Sequence, residues 1–142
     1  MADNDLKVVM QRLYDAFNGG DQHALDAVVA DAFVEHEDTP GIPPGKVGLK
    51  QFVAMLHKAF PDVVFKVADI ASEADKVWAR VVVTGTQRGE YFGIPATGRA
   101  IHIEVFDICR IAGSQITEHW GLSDQMGMMR QLGVLPPPAT SA

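Results

Sequence analysis

The sequence predicts an α+β domain: a cone-shaped fold in which a strongly bent, mostly antiparallel sheet packs on three N-terminal helices. Three observations carry this prediction. Apolar residues keep helical spacing as far as Phe60, β-branched runs keep strand spacing from Val63 onward, and two short polar connections join those runs as hairpins. A bent sheet closed by helices on one face leaves a conical cavity, a usual form for a small-molecule site. With 142 residues and a 47% hydrophobic composition, the chain has enough apolar material for one core. The domain is placed at 1–135, and residues 136–142, which include Pro136-Pro137-Pro138, are expected to form a disordered tail.

Each element has a local cause. Leu6, Val9, Met10, Leu13 and Phe17 fall on one helical face, opened by Asp3-Asn4-Asp5 and closed by Gly19-Gly20. Asp21 caps a second, shorter helix whose spacing continues through Leu25, Val28, Val29 and Phe33 and runs out at Val34-Glu35-His36. Thr39 to Gly45 contains three prolines and two glycines and reads as a loop, a flap rather than a linker. Leu49, Phe52, Val53, Leu56 and Phe60 mark a third helix, ended by Pro61, whose ring forbids helical continuation. The strands are Val63 to Ser72, Lys76 to Arg88, Arg99 to Ile111 and Ile116 to Ser123. Glu73-Ala74-Asp75 and Ala112-Gly113-Ser114-Gln115 supply the hairpin turns, and Gly89 to Gly98 is a loop carrying Tyr91 and Phe92. An amphipathic segment beginning near Gln125 ends in Gln131-Leu132-Gly133.

Composition excludes several functions. A net charge of -6 with scattered basic residues argues against a phosphate-tracking surface, so no nucleic-acid partner is expected. The acidic start and the lack of a long apolar stretch argue against a signal peptide or membrane span, so a cytoplasmic protein is expected. The single cysteine, Cys109, sits in an apolar strand and reads as a small buried hydrophobe. No phosphate loop, nucleophile elbow or helical His pair is present. A metal site drawn from His36, Glu37, Asp38, Glu118 and His119 has no supporting spacing, and no metal or cofactor is expected.

The densest collection of functional groups is Glu118-His119-Trp120-Gly121-Leu122-Ser123-Asp124. Together with Phe33-Val34-Glu35-His36, Phe60-Pro61-Asp62, Gly85-Thr86, Gly93-Ile94-Pro95, Thr97-Gly98 and Gln131-Leu132-Gly133, it gives the chain an ordered set of short matches. In that order the chain resembles the SnoaL-like polyketide cyclases, often labelled ester cyclases, over nearly its whole length. The resemblance implies the nuclear-transport-factor-like cone shared with ketosteroid isomerase, scytalone dehydratase and limonene epoxide hydrolase. It also implies a homodimer built on the outer sheet face. The implied reaction is an intramolecular aldol condensation that closes a ring of an aromatic polyketide methyl ester without metal or organic cofactor. The family's acid/base carboxylate matches Asp124.

The residues themselves make a separate case. A carboxylate of ordinary pKa is a weak base toward a C–H bond, and burial of Asp124 beside Trp120 and Leu122 would raise it toward a useful range. Asp124 can equally cap the helix beginning near Gln125. His36 is a candidate donor to a substrate carbonyl or enolate, or else a histidine tied to the adjacent flap. Strand alternation puts Glu118, Trp120, Leu122 and Asp124 on one face and His119 on the other, which favours an outer-face role for His119 at the dimer contact. Along the preceding strand, Ile101, Ile103, Val105, Asp107, Cys109 and Ile111 form the better core face, with His102 and Glu104 outside; the reverse parity would make His102 and Glu104 a pocket acid/base pair. Asp107 then needs a partner such as Arg80 or a substrate group. Tyr14, Phe17, Phe60 and Trp120 complete the expected lining of a site for a small hydrophobic molecule.

Two functions of different classes remain. One is a cofactor-independent cyclase-type enzyme, or a hydrolase, isomerase or dehydratase variant of it, with Asp124 as general acid/base and His36 polarising the carbonyl. The other is a noncatalytic binder of a small apolar ligand.

Overall fold

The computed structural model describes residues 2–139. Helix α1, Asp3–Gly19, buries Leu6, Val9, Met10, Leu13 and Tyr14 along one stripe. Asp3 and Asp5 lie in its first turn, where negative charge complements the helix dipole. Gly20 ends α1 in the left-handed conformation (φ 58°), where a side chain would strain the backbone. Helix α2, Gln22–Val28, starts where the Asp21 carboxylate accepts from the Ala24 N–H at 3.0 Å.

The expected continuation of α2 through Phe33 is corrected by the structure. The helix stops at Val28, and Val29–Glu35 forms strand β1. Helix α3, Gly45–Ala59, follows the Pro-rich loop and gives way at Phe60, before Pro61. Strands β2 (Val64–Glu73), β3 (Lys76–Thr86), β4 (Ala100–Ala112) and β5 (Gln115–Ser123) lie where alternation predicts them. A short helix α4, Gln125–Gln131, closes the described elements.

The five strands form one curved, mixed sheet in the order β1-β5-β4-β3-β2. β1 pairs with β5 in parallel, and the other pairings are antiparallel. Register shifts between Val67 and Asp69 and between Arg110 and Ile111 increase the local bend of the sheet. Helix α1 packs over β2 and α3 over β1, while α4 packs against β4. Burial alternates along β3 and β4, so Val77, Ala79, Val81 and Val83 face the same core as Ile101, Ile103, Val105, Cys109 and Ile111. Each large apolar side chain fully buried there, such as Met10 or Leu25, contributes about 1.5–3 kcal/mol by removal from water.

The loop 89–98 is held by one buried side chain. Gln87 Nε2 donates to the Gly89 and Ile94 carbonyls, and its Oε1 accepts from the Thr97 N–H and hydroxyl. Tyr91 and Ile94 bridge across the turn. Residues 136–139 have no regular secondary structure and are exposed. The rest of the expected tail, 140–142, lies outside the described residues. Among the described residues no helix is long and apolar enough to cross a membrane.

Candidate functional site

The polar heart of the cone is built on Asp107. Strand alternation turns it inward among apolar residues, and it is only 7% exposed. A carboxylate there is stable only if its oxygens are satisfied. The Tyr14 hydroxyl, presented by α1, donates to Asp107 Oδ2 at 2.7 Å. His119 Nε2 donates to Asp107 Oδ1 at 2.7 Å, and His119 Nδ1 donates to Glu35 Oε1 at 2.6 Å. A hydrogen-bonded chain Tyr14–Asp107–His119–Glu35 therefore links α1, β4, β5 and β1. Glu35 also accepts from the backbone N–H of Glu37 at 2.9 Å, which fixes the strand end beside the cluster.

These contacts set the protonation of the group. Burial alone would lower the His119 pKa, but hydrogen bonds and charge from Asp107 and Glu35 outweigh it and hold the imidazole up at about 10. His119 is thus an imidazolium at neutral pH, with both N–H groups engaged. Burial, followed by the Asp107 charge, pushes Tyr14 well above the usual phenol range, so it remains a donor. Burial also raises the Glu37 carboxyl; His119 opposes this, while Asp107 and Glu35 add to it. Tyr91, in the loop 89–98, is pushed up to about 12 by burial and the nearby Glu37. Cys109 is buried and raised by burial, an inert thiol as expected from its strand.

Several expected site residues lie elsewhere. Asp124 is exposed, and its carboxylate caps α4 by accepting from the Gly127 N–H at 2.9 Å, so the burial that would tune it as a base is missing. Leu122, its expected apolar neighbour, is 75% exposed. Alternation does separate His119 from Trp120, but the faces are the reverse of those expected: His119 points into the core and Trp120 points out. Trp120 stacks on His36 with ring centroids 4.6 Å apart, and His36 Nε2 pairs with Glu118 at 2.9 Å. His36 and Trp120 are therefore outer-face residues, not lining of the cone. Arg80 also faces outward, where it binds Asp69 and Glu104, so it is not the partner of Asp107. Phe60 is fully buried against Tyr91, and Phe17 packs edge-on to Tyr14 and Phe65.

The reversal has a local origin. The tight turn at Gly113-Ser114 pairs Ala112 with Gln115 and Ile111 with Ile116, and a regular ladder would then set Cys109 opposite Glu118. The irregularity after Arg110 adds one residue to β5, so that Cys109 faces His119 and Asp107 faces Gly121. Glu35 is not singled out by sequence because helical spacing hides β1, and Glu37 enters the sequence analysis only in the metal set that lacks supporting spacing. The signal for His119 was present in Asp107, a buried acid in need of a partner.

The sequence-derived metal set divides between the two sheet faces, since His36 and Glu118 pair outside. One oxygen each of Glu35 and Glu37 and one ring nitrogen of His119 do lie within 4.8 Å of one another. Both His119 nitrogens already donate to carboxylates, so a cation there would have to displace one of them.

A helix-backed curved sheet with a buried carboxylate–imidazolium–phenol chain defines an α+β cone with acid/base groups in its interior. The SnoaL-like polyketide cyclase model matches residues 7–132, and the chain belongs to that family. It is similar to the aklanonic acid methyl ester cyclase DauD of Streptomyces sp. (strain C5), 26% identical over 130 residues that span 88% of this chain and 80% of that protein. Among solved structures, TsrD from Streptomyces laurentii superposes with a TM-score of 0.87 at 28% identity, covering 95% of this chain and 99% of that one. IdmH from Streptomyces antibioticus gives 0.79 at 32% identity, covering 90% and 98%.

Proposed function

We propose that this chain is a polyketide-cyclase-type enzyme that performs cofactor-independent acid/base chemistry, an intramolecular aldol condensation or a related step, on a small hydrophobic carbonyl compound. The observation that supports this most is the buried chain Tyr14–Asp107–His119–Glu35. Aldol closure moves a proton off a carbon and develops negative charge on the neighbouring carbonyl oxygen. The buried imidazolium of His119 offsets the charge of Asp107 and Glu35, so that acidic groups can be kept together in a largely desolvated setting. A carboxylate of the cluster accepts the proton and returns it, so ring closure conserves every atom of the substrate.

The experiment uses the substrate named for the DauD relative. Purified protein is incubated with aklanonic acid methyl ester and followed by liquid chromatography with mass and absorbance detection. The expected result is a product of unchanged mass and altered retention, formed faster than in buffer and lost in Asp107→Asn. Binding of this ester without turnover would support the noncatalytic reading instead.

We also infer a homodimer formed through the outer sheet face. Phe106 (54%), Leu122 (75%) and Trp78 (38%) are exposed there around a shallow concavity that also includes Ile108 and Trp120. A contiguous apolar patch of this kind on one face marks an association surface, and a two-fold contact would cover it on both copies at once.

A further inference from the structure

We propose that Glu37 is the carboxyl that exchanges the proton with the substrate, and that position 121 is glycine so that Glu37 can enter the cluster. This rests on the acid/base reading above and assigns its moving proton to one side chain. A Cβ built on Gly121 would overlap Glu37 Oε2, and it would lie 2.7 Å from His119 Cε1 and 3.0 Å from Asp107 Oδ1. The space that a side chain at 121 would fill is thus where the Glu37 carboxylate meets the Asp107–His119 pair. The backbone of Gly121 is not in a left-handed conformation, so turn geometry does not demand glycine at this point.

The other members of the cluster are committed. Asp107 uses one oxygen on Tyr14 and the other on His119, and His119 uses both nitrogens. Glu35 accepts from His119 and from the Glu37 backbone. No side-chain hydrogen bond among the described residues occupies the carboxyl of Glu37, so it alone can trade a proton without breaking the chain. The groups that face it are His119 from β5, Asp107 from β4, Glu35 from β1 and Tyr91 from the loop 89–98. Burial and the two neighbouring carboxylates favour its protonated form, and the imidazolium favours its ionised form. In the step itself the Glu37 carboxylate takes the proton from the carbon next to the substrate carbonyl. The new C–C bond forms from that carbon to the second carbonyl, and Glu37 returns the proton to the resulting alkoxide.

The test combines carbon NMR of protein labelled with 13C at the glutamate carboxyls with turnover of aklanonic acid methyl ester. One glutamate carboxyl in the wild type should titrate above the others. That signal should be missing in Glu37→Gln and should fall toward the ordinary range in Gly121→Ala, where the new methyl displaces Glu37. Turnover should drop at least 100-fold in Glu37→Gln, and Glu37→Asp should keep part of it with a shifted acidic limb in its pH profile. An ordinary titration for Glu37 in the wild type, or undiminished turnover in Glu37→Gln, overturns the proposal. If Gly121→Ala fails to fold, Glu37→Gln and Glu37→Asp still decide it. Wild-type protein that shows the raised titration but leaves the ester unchanged would count against the cyclase reading and leave the placement of Glu37 standing.

Discussion

His119 makes stability fall as pH rises, and the size of the fall follows from its surroundings. Its pKa is held at about 10 in the folded chain against an ordinary 6.5. Between those values the folded state carries one proton at this site and the unfolded state carries none. The stabilisation is complete below pH 6.5 and is lost progressively as pH rises toward 10, at about 1.4 kcal/mol per pH unit. From pH 6.5 to 8.5 that amounts to about 2 kcal/mol, a sizeable share of the 5–15 kcal/mol typical of a domain. The window stops there because Cys109 and Tyr14, both raised on folding, begin to add the same dependence as their unfolded-state groups ionise. The assay is urea denaturation at half-unit pH steps for wild type and His119→Gln. The difference between the two proteins cancels His23, His36, His57 and His102. Wild type should lose its advantage over the variant across this window, starting from a deficit in the variant of about 3–5 kcal/mol for leaving buried carboxylates unpaired. Parallel stability curves for the two proteins would refute an imidazolium shared by Asp107 and Glu35.

Two other predictions concern residues outside the buried cluster. Asp124→Ala should cost about 0.5–2 kcal/mol through loss of the α4 cap while leaving turnover within a few-fold of wild type, checked by thermal denaturation and the ester assay together. Phe106→Glu combined with Leu122→Glu should convert a dimer of about twice 15.4 kDa to a monomer in size-exclusion chromatography with light scattering; a monomeric wild type would remove the outer-face contact.

The fold was more legible than the site, for reasons visible in particular residues. Helix α1, helix α3 and the strands from β2 to β5 have long runs with a single period, and their ends carry Gly20, Pro61 and short turn segments. β1 is different. Val29 and Phe33 are four apart, a spacing that fits one helix face and also one strand face, and both are buried. Its pairing partner β5 is more than 80 residues away in sequence, so no local pattern announces the parallel ladder. The inward face of β4 was readable from its alternation, and with it the need of Asp107 for a partner. The inward face of β5 was not, because the residue added to β5 between Ile116 and Glu118 reverses the side on which His119 and Trp120 emerge.

The hydrogen-bonded chain joins residues that the ribosome makes far apart in time. Tyr14 and Asp107 are 93 positions apart, and Glu35 and His119 are 84. Every acid of the cluster is synthesised before its one cation. Until β5 is in place, Glu35, Glu37 and Asp107 have no imidazolium to share, and packing them together in the apolar interior is electrostatically opposed. Closure of the cone and assembly of its proton-handling groups are therefore one event: the last strand completes the sheet and brings the charge that lets the interior acids come together.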